Sequence, residues 1–311
     1  MLLVFTTTLP LFVLILAGYA SARARLIDAA GVRGLTGFVY YFSLPLTLFH
    51  MMATAQVVER FDGAFVGAYL AAALLMCATG VAIARWILRH RLDEQAVQGM
   101  AASFGNLVFI ALPIAIELYG PGAALPVLLL LLVENGVIMP LAIVLIELAR
   151  SGPGTAWRAP AAAGRAIVRN PVIMSVAAGA AVALFGVRLP SLLDGIVNFV
   201  KGANVPCALF ALGATLAVMP RGERLRESGA LVLLKLAMFP AVVYLLMTHA
   251  VSVDPAWRAI AVLCAAMPMG ANVFLIAARY DVYVARASAG VLVSTAASVV
   301  TVSALAVLLA R

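Results

Sequence analysis

The sequence predicts an all-α membrane protein with ten transmembrane helices arranged as two inverted five-helix repeats. The chain has 311 residues, of which 65% are hydrophobic and 11% are charged, and its mean hydropathy is +1.11. Soluble domains carry about 25% charged residues, so this composition argues against an ordinary soluble fold. Short basic segments separate apolar runs of membrane-spanning length, and the two halves of the chain share a weak pattern.

Runs of about 17–25 apolar residues predict the individual helices, which we call spans 1 to 10. The spans cover residues 3–22, 35–54, 63–88, 97–118, 123–149, 168–187, 190–218, 229–251, 256–279 and 284–310. The longest connection is rich in glycine and proline. It divides the chain into a first five-helix repeat (1–149), a cytoplasmic linker (150–167) and a second five-helix repeat (168–311).

The distribution of arginine predicts how the chain is oriented in the membrane. The connections after spans 1, 3, 5, 7 and 9 hold 15 arginines, whereas the other connections and the C-terminus hold four. Positive charge accumulates on the cytoplasmic side. We therefore expect a multi-pass protein of a cell membrane (inner or plasma) with both termini outside the cytoplasm. The same distribution explains the formal charge of +8 without a basic face for nucleic acid.

Short matches between the two halves favour a duplication. The segment LPLTLF at 44–49 resembles VPCALF at 205–210, and Asn106 followed by Ile110-Ala111 resembles Asn272 followed by Ile276-Ala277. Because each half has an odd number of helices, the second half crosses the membrane in the opposite direction. The sequence therefore predicts an inverted repeat in which spans 4 and 9 correspond to each other.

Spans 4 and 9 each carry an asparagine near their middle, beside residues that weaken helices. Asn106 follows Gly105, and Asn272 follows Pro268 and Gly270. An unpaired amide in hydrocarbon costs several kcal/mol. Glycine and proline at the same depth release backbone groups that can bind a ligand, and two interrupted helices in corresponding halves are typical of a transporter site. The alternative is that both amides only join helices by hydrogen bonds.

Other polar residues lie inside the predicted spans. Glu134 and Asn135 fall near the centre of span 5, where a charged carboxylate costs about 2.5–3.5 kcal/mol. Glu134 is thus a candidate carrier of a coupling ion, or else a protonated acid bonded within the bundle. Ser294 and Thr295 in span 10 either line the same cavity or bond back to their own helix. Lys235 in span 8 is expected to snorkel to the cytoplasmic interface.

The chain resembles the auxin efflux carrier family, in particular its compact bacterial members, over essentially its whole length. The resemblance rests on an ordered set of short motifs in both halves. They are YFSLPLTLF in span 2, Gly105-Asn106 and Leu112-Pro113 in span 4, Asn170-Pro171, Pro206 with FALG at 210–213, Pro268 with Asn272-Val273-Phe274 and Tyr280, and Val293-Ser294-Thr295 with Ser298.

The resemblance implies two inverted five-helix repeats with helices 4 and 9 broken and crossing, scaffold helices 1, 2, 6 and 7, and transport helices 3–5 and 8–10. It implies a secondary active transporter or uniporter that moves a small organic anion (auxin-, malate- or malonate-like) by elevator-type alternating access. A coupling proton or sodium ion and a homodimer are left open. The substrate-binding residues are then expected to be Asn106, Asn272, Gly105, Pro268, Gly270, Asn135, Ser294 and Thr295.

Two other classes of protein compete with a carrier. An enzyme is not favoured, because the sequence has no HExxH, GxSxG or P-loop motif and no clustered metal ligands, so we expect no cofactor and no metal. A channel normally shows filter motifs or rings of charge. A channel, or a proton- or sodium-coupled carrier of a non-anionic solute, remains the alternative. Exchange of substrate across the membrane would separate a carrier from a channel.

Overall fold

The computed structural model describes residues 2–54, 61–150, 158–187, 189–218 and 225–309. Within these ranges the fold is α-helical, and the β-type pairing is one antiparallel bridge between Gly105 and Met269. We number the helices α1 to α14 in chain order. They are Leu2–Arg23, Ala29–Ala53, Gly63–Ile87, Leu92–Ser103, Leu107–Tyr119, Pro121–Arg150, Arg158–Val168, Pro171–Leu184, Ser191–Val218, Leu225–Leu233, Phe239–His249, Pro255–Ala265, Ala271–Tyr280 and Val284–Leu309.

Several helices are long and apolar enough to cross a membrane. In the described residues there are five by length and composition: α2, α3, α6, the stretch Gly229–His249 in α10 and α11, and Val284–Val302 in α14. Shorter apolar helices accompany them, including α5, α8 and α12. These features indicate a multi-pass membrane protein, whereas the count of ten spans stays a prediction.

Two helices begin earlier than hydropathy predicts. Helix α2 starts at Ala29 rather than 35, because Asp28 accepts a hydrogen bond of 2.7 Å from the Gly31 amide. Helix α4 starts at Leu92 rather than 97, and the Glu94 carboxylate accepts from the Arg91 amide at 3.2 Å. Polar caps of this kind stabilise helix starts. A search for apolar runs overlooks them because the capping residues are hydrophilic.

The predicted linker contains the helix α7, which the hydropathy pattern does not reveal. Its sequence RAPAAAGRAIV is rich in alanine, the best helix former. Predicted span 6 then begins at Pro171 instead of 168. There the Asn170 side chain accepts from the amides of Val172 and Ile173, and proline occupies the first turn.

The chain forms two compact units. Unit 1 consists of Met1–Asp62, Val108–Leu128 and Val168–Met219, and unit 2 of Gly63–Leu107, Leu129–Ile167 and Pro220–Arg311. In unit 1, α1 packs on α9 and α2 packs on α8. Helices α1 and α9 approach so closely that a Cβ atom on Gly18 would collide with the Phe210 carbonyl, and one on Gly213 with the Ile15 carbonyl. This contact therefore requires both glycines.

Unit 2 is the more polar of the two in its interior. Helices α3 and α4 pack together, α4 also contacts the last part of α6, and α11 contacts α12. Of the 15 buried polar or charged side chains in the described residues, 12 belong to unit 2. They are Asp93, Gln95, Gln98, Ser103, Asn106, Glu134, Asn135, Lys235, Ser288, Ser294, Thr295 and Ser298. Polar groups inside a membrane protein tend to serve function, so unit 2 is where a site is expected.

Candidate functional site

The first helix break lies in the middle of predicted span 4. Helix α4 ends at Ser103, Phe104 is extended (φ −104°, ψ 117°), and α5 begins only at Leu107. Gly105 and Asn106 occupy the gap. The break forms without a neighbouring proline, since the nearest one in α5 is Pro113.

The second break interrupts predicted span 9. Helix α12 ends at Ala265, and α13 begins at Ala271 after an extended Gly270 (φ −67°, ψ 144°). Pro268 lies between them. Proline lacks a backbone N–H and disfavours a helical conformation in the residue before it, so this break has a local cause in the sequence.

The two extended segments pair with each other inside unit 2. The Asn106 amide donates to the Pro268 carbonyl at 2.9 Å, and the Gly270 amide donates to the Phe104 carbonyl at 3.1 Å. A Cβ atom on Gly270 would lie 2.7 Å from the Gly105 carbonyl oxygen, so the close approach requires glycine. Pairing satisfies backbone groups that would be costly to leave free within a membrane. We call this arrangement the paired breaks.

Side chains satisfy the two remaining amides of the paired breaks. Glu134 Oε2 accepts from the Gly105 amide at 2.9 Å, and Ser294 Oγ accepts from the Met269 amide at 3.1 Å. Ser294 also donates to the Val291 carbonyl of its own helix at 3.1 Å. Helices α6 and α14 therefore hold the two extended segments in place.

The start of α13 keeps two backbone donors without an acceptor in the part of the chain that the structure describes. Among the residues that the structure describes, no acceptor lies at the amides of Ala271 and Asn272, which precede the first intrahelical bonds. Both residues are partly exposed. The Asn272 side chain donates to Asn135 Oδ1 at 3.4 Å, and Asn135 donates to the Leu131 carbonyl at 3.0 Å. Amides at the positive end of a helix, beside side-chain amides, suit an anionic group.

A charged cluster lies behind the paired breaks, and each of its members is fully buried. Tyr69 donates to Glu134 Oε1 at 2.8 Å. Lys235 Nζ donates to the Ala265 carbonyl at 2.6 Å and lies 4.8 Å from the centre of the Phe239 ring. The prediction that Lys235 snorkels to the cytoplasmic interface is wrong, because its ammonium group turns inward to this carbonyl.

The signal for Lys235 was present in the sequence. Lys235 and Glu134 are ionisable residues within predicted spans, and such residues usually pair with one another or with backbone carbonyls. Each also lies in a π-helical turn, Leu234–Met238 or Glu134–Ile138, and such turns are frequent at functional sites. Sequence alone also missed Tyr69, whose hydroxyl shares the same carboxylate.

Most of the predicted site residues meet at the paired breaks. Their backbone or side chains provide the pairing, its anchors or the Asn272–Asn135 contact. They are Gly105, Asn106, Glu134, Asn135, Pro268, Gly270, Asn272 and Ser294. Thr295 differs, because its hydroxyl donates to the Val291 carbonyl at 2.7 Å. This back-bonding is the alternative considered for it from the sequence.

An apolar helical fold with two interrupted helices that meet at their breaks is typical of a membrane transport protein. The family model described as "Membrane transport protein" matches residues 3–306. The chain belongs to this family, the auxin efflux carrier family, and the resemblance inferred from its motifs is confirmed.

Two relatives illustrate the similarity. A Rhizobium meliloti (strain 1021) protein named "Putative malonate transporter" is 33% identical over 303 residues, covering 96% of this chain and 93% of the relative. The "Uncharacterized transporter YfdV" of Escherichia coli (strain K12) is 25% identical over 300 residues, covering 94% and 93%. Both relatives are transporters by name and match nearly end to end.

Proposed function

We propose that this protein is a secondary active transporter or uniporter that moves a small organic anion across a cell membrane by elevator-type alternating access. The observation that carries the proposal is the free start of α13, where the amides of Ala271 and Asn272 point to no acceptor in the described structure. The Asn272 side chain lies beside them, and the chain belongs to a transporter family.

The proposed ligand group is a carboxylate. Backbone amides and the positive end of a helix favour an anion, and the side-chain amides of Asn272 and Asn135 add hydrogen-bond donors. These groups are neutral, so they can bind a carboxylate without holding it too tightly for release. In this scheme Asn106, Gly105, Pro268, Gly270 and Ser294 shape the paired breaks, and Thr295 lies on the same helix as Ser294.

A short dicarboxylate such as malonate is the first substrate to test. The support is the 33% identity to the Rhizobium meliloti protein whose name includes malonate.

The proposed architecture is ten spans in two inverted repeats, with both termini outside the cytoplasm. Two observations support it. The breaks fall in predicted spans 4 and 9, five spans apart. The described parts of spans 1, 2, 6 and 7 belong to unit 1, whereas those of spans 3, 8, 9 and 10 belong to unit 2. Unit 2, which carries the paired breaks, would be the part that moves.

The membrane potential supplies a driving force in one direction. With a negative cytoplasm, expelling one anionic charge gains about 2.3 kcal/mol per 100 mV. Export of a monoanion can therefore proceed as a uniport, whereas uptake requires a coupled proton or sodium ion. From the sequence, Glu134 is the candidate carboxylate for such an ion, and pH-driven uptake by Glu134→Gln tests that role against a structural one.

The proposed function predicts exchange of carboxylates across a membrane. Proteoliposomes containing the purified protein and preloaded with unlabelled malonate are expected to take up external [14C]malonate faster than liposomes loaded with buffer. Internal substrate lets the carrier's site return loaded, which is faster than the return of the empty site. This trans-stimulation therefore distinguishes a carrier from a channel. The assay is repeated at two external pH values, with and without sodium.

Protein-free liposomes loaded in the same way are the control for leakage. Uptake without trans-stimulation would indicate a channel. A flat response to malonate and to a panel of other short carboxylates would rule out the anion-carrier proposal.

The proposed orientation predicts opposite labelling of two introduced cysteines. Gly164 in α7 and Gly122 at the start of α6 are both exposed, and a Cβ atom at either position meets open space. With Cys207 replaced by serine, an impermeant maleimide should label Gly122→Cys in intact cells and Gly164→Cys only in inside-out vesicles. The buried Cys77 and Cys264 should stay unlabelled. Labelling of Gly164→Cys in intact cells would reverse the orientation.

A further inference from the structure

We propose that Lys235 and Glu134 form a buried brace that fixes the geometry of the paired breaks, which makes Lys235 a positioning residue of the transport site. The inference rests on the proposed function for the meaning of the site. The brace itself is argued from contacts within unit 2.

Lys235 holds the helix that leads into the second break. Its Nζ atom donates at 2.6 Å to the carbonyl of Ala265, the last residue of α12. The last carbonyls of a helix lack intrahelical partners and carry partial negative charge. The ammonium group therefore caps α12 three residues before Pro268.

Glu134 holds the first break in a complementary way. One carboxylate oxygen accepts from the Gly105 amide at 2.9 Å, and the other accepts from the Tyr69 hydroxyl at 2.8 Å. Gly105 is in turn the bridge partner of Met269. The carboxylate is thereby connected through one residue to the second break.

The side chains of Glu134 and Lys235 both approach Gly105. A Cβ atom there would lie 3.4 Å from both Glu134 Oε1 and Lys235 Nζ, and 3.3 Å from the Cys264 carbonyl oxygen. The brace thus contacts both breaks at the point where they pair. A side chain larger than hydrogen at this position would press against both members of the brace.

The brace has a role distinct from direct substrate binding. Glu134, Lys235 and Tyr69 each have 0% exposure. Both carboxylate oxygens have donors, and the ammonium group has a carbonyl acceptor and an aromatic ring. The donors left for a ligand are instead at the start of α13. The brace acts on the ligand through the position of Ala271 and Asn272.

Burial makes the brace testable by single and double substitutions. Glu134 and Lys235 are buried groups of opposite charge type that both lie beside Gly105. Removing one of two opposite buried charges leaves the other uncompensated, which is strongly destabilising, whereas replacing both is often tolerated. The variants are Lys235→Met, Glu134→Gln and the double variant. Gly67→Ala is the matched control, because it lies in α3 of unit 2 with open space around its Cβ position.

The expected result distinguishes a positioning role of Lys235 and Glu134 from a role in stability alone. Each single variant should unfold at a lower temperature than wild type, and the double variant should recover most of that loss. The double variant should nevertheless keep a KM for malonate counterflow raised about tenfold or more, because methionine cannot cap the Ala265 carbonyl. A double variant that recovers both stability and KM would reduce the pair to a stability role and overturn the proposal.

A substrate-free readout keeps the brace testable if malonate is not transported. The variant Ala271→Cys, in a background with Cys207→Ser, is alkylated in detergent, and the rate of alkylation reports the geometry at the start of α13. The double variant should change this rate about fivefold or more, and Gly67→Ala should not. An unchanged rate in the double variant overturns the brace even when transport is absent.

The same variants test ion coupling at Glu134. The brace predicts that Glu134→Gln lowers counterflow and pH-driven uptake together, with an unchanged pH profile of counterflow. Normal counterflow combined with lost pH-driven accumulation would instead make Glu134 the coupling residue and overturn its role in the brace.

Discussion

Asn272→Ala is expected to weaken malonate counterflow by about 10- to 150-fold while the protein still folds and inserts. Losing one hydrogen bond to a charged ligand costs about 1.5–3 kcal/mol, which corresponds to that range in affinity. The side chain of Asn272 is partly exposed beside the free amides of α13, and its contact with Asn135 is long at 3.4 Å. Its removal should therefore affect the ligand more than the fold. The measurement is the KM of [14C]malonate counterflow.

Asn106→Ala is the companion variant, and it should also weaken transport sharply with near-normal expression. Asn106 is buried at the first break, and alanine keeps its backbone bond to the Pro268 carbonyl, so the variant removes only the side-chain amide from the site. The matched control is Asn198→Ala, which removes an exposed asparagine of α9 in unit 1. Wild-type transport by both Asn106→Ala and Asn272→Ala would show that the paired breaks are not the substrate site.

Gly270→Ala is expected to abolish transport and to lower the thermal unfolding temperature. A Cβ atom at this position would lie 2.7 Å from the Gly105 carbonyl oxygen and 2.7 Å from the Phe104 ring. The backbone oxygen cannot move without separating the two breaks. Overpacking of this kind costs about 1–3 kcal/mol, and the resulting shift acts directly on the start of α13. Counterflow and a thermal unfolding curve measure the two effects.

A graded series gives this prediction its control. Gly105→Ala, with its nearest neighbours at 3.3–3.4 Å, should have a smaller effect than Gly270→Ala, and Gly67→Ala should behave like wild type because its Cβ position is open. Equal effects at positions 270 and 67 would mean that the close approach of the two breaks is unimportant for transport.

The sequence by itself determined the class of protein and the positions at which two helices are interrupted. Membrane insertion depends on hydropathy summed over a local window, so composition and apolar runs are enough to indicate it. Pro268 and Gly270 mark the second break for an equally local reason, the lost N–H and the missing Cβ. The asparagines, the glycines and the family motifs could be found in the same way.

Apolar runs do not predict the helix starts at Ala29 and Leu92 or the helix α7. Polar caps and alanine-rich segments stabilise helices without raising hydropathy. Such elements are local, but their signal lies in hydrogen-bonding residues rather than in hydrophobic ones.

Only the tertiary structure decided which groups at the site bind each other. The pairing of the Asn106 amide with the Pro268 carbonyl joins residues far apart in the chain, and no local pattern encodes it. Ser294 and Thr295 are neighbours of similar chemistry, yet only Ser294 reaches the Met269 amide. Lys235 could snorkel or turn inward with the same four-carbon stem. It turns inward because Ala265 presents an uncapped helix carbonyl and Glu134 a compensating charge, and both depend on how distant helices pack.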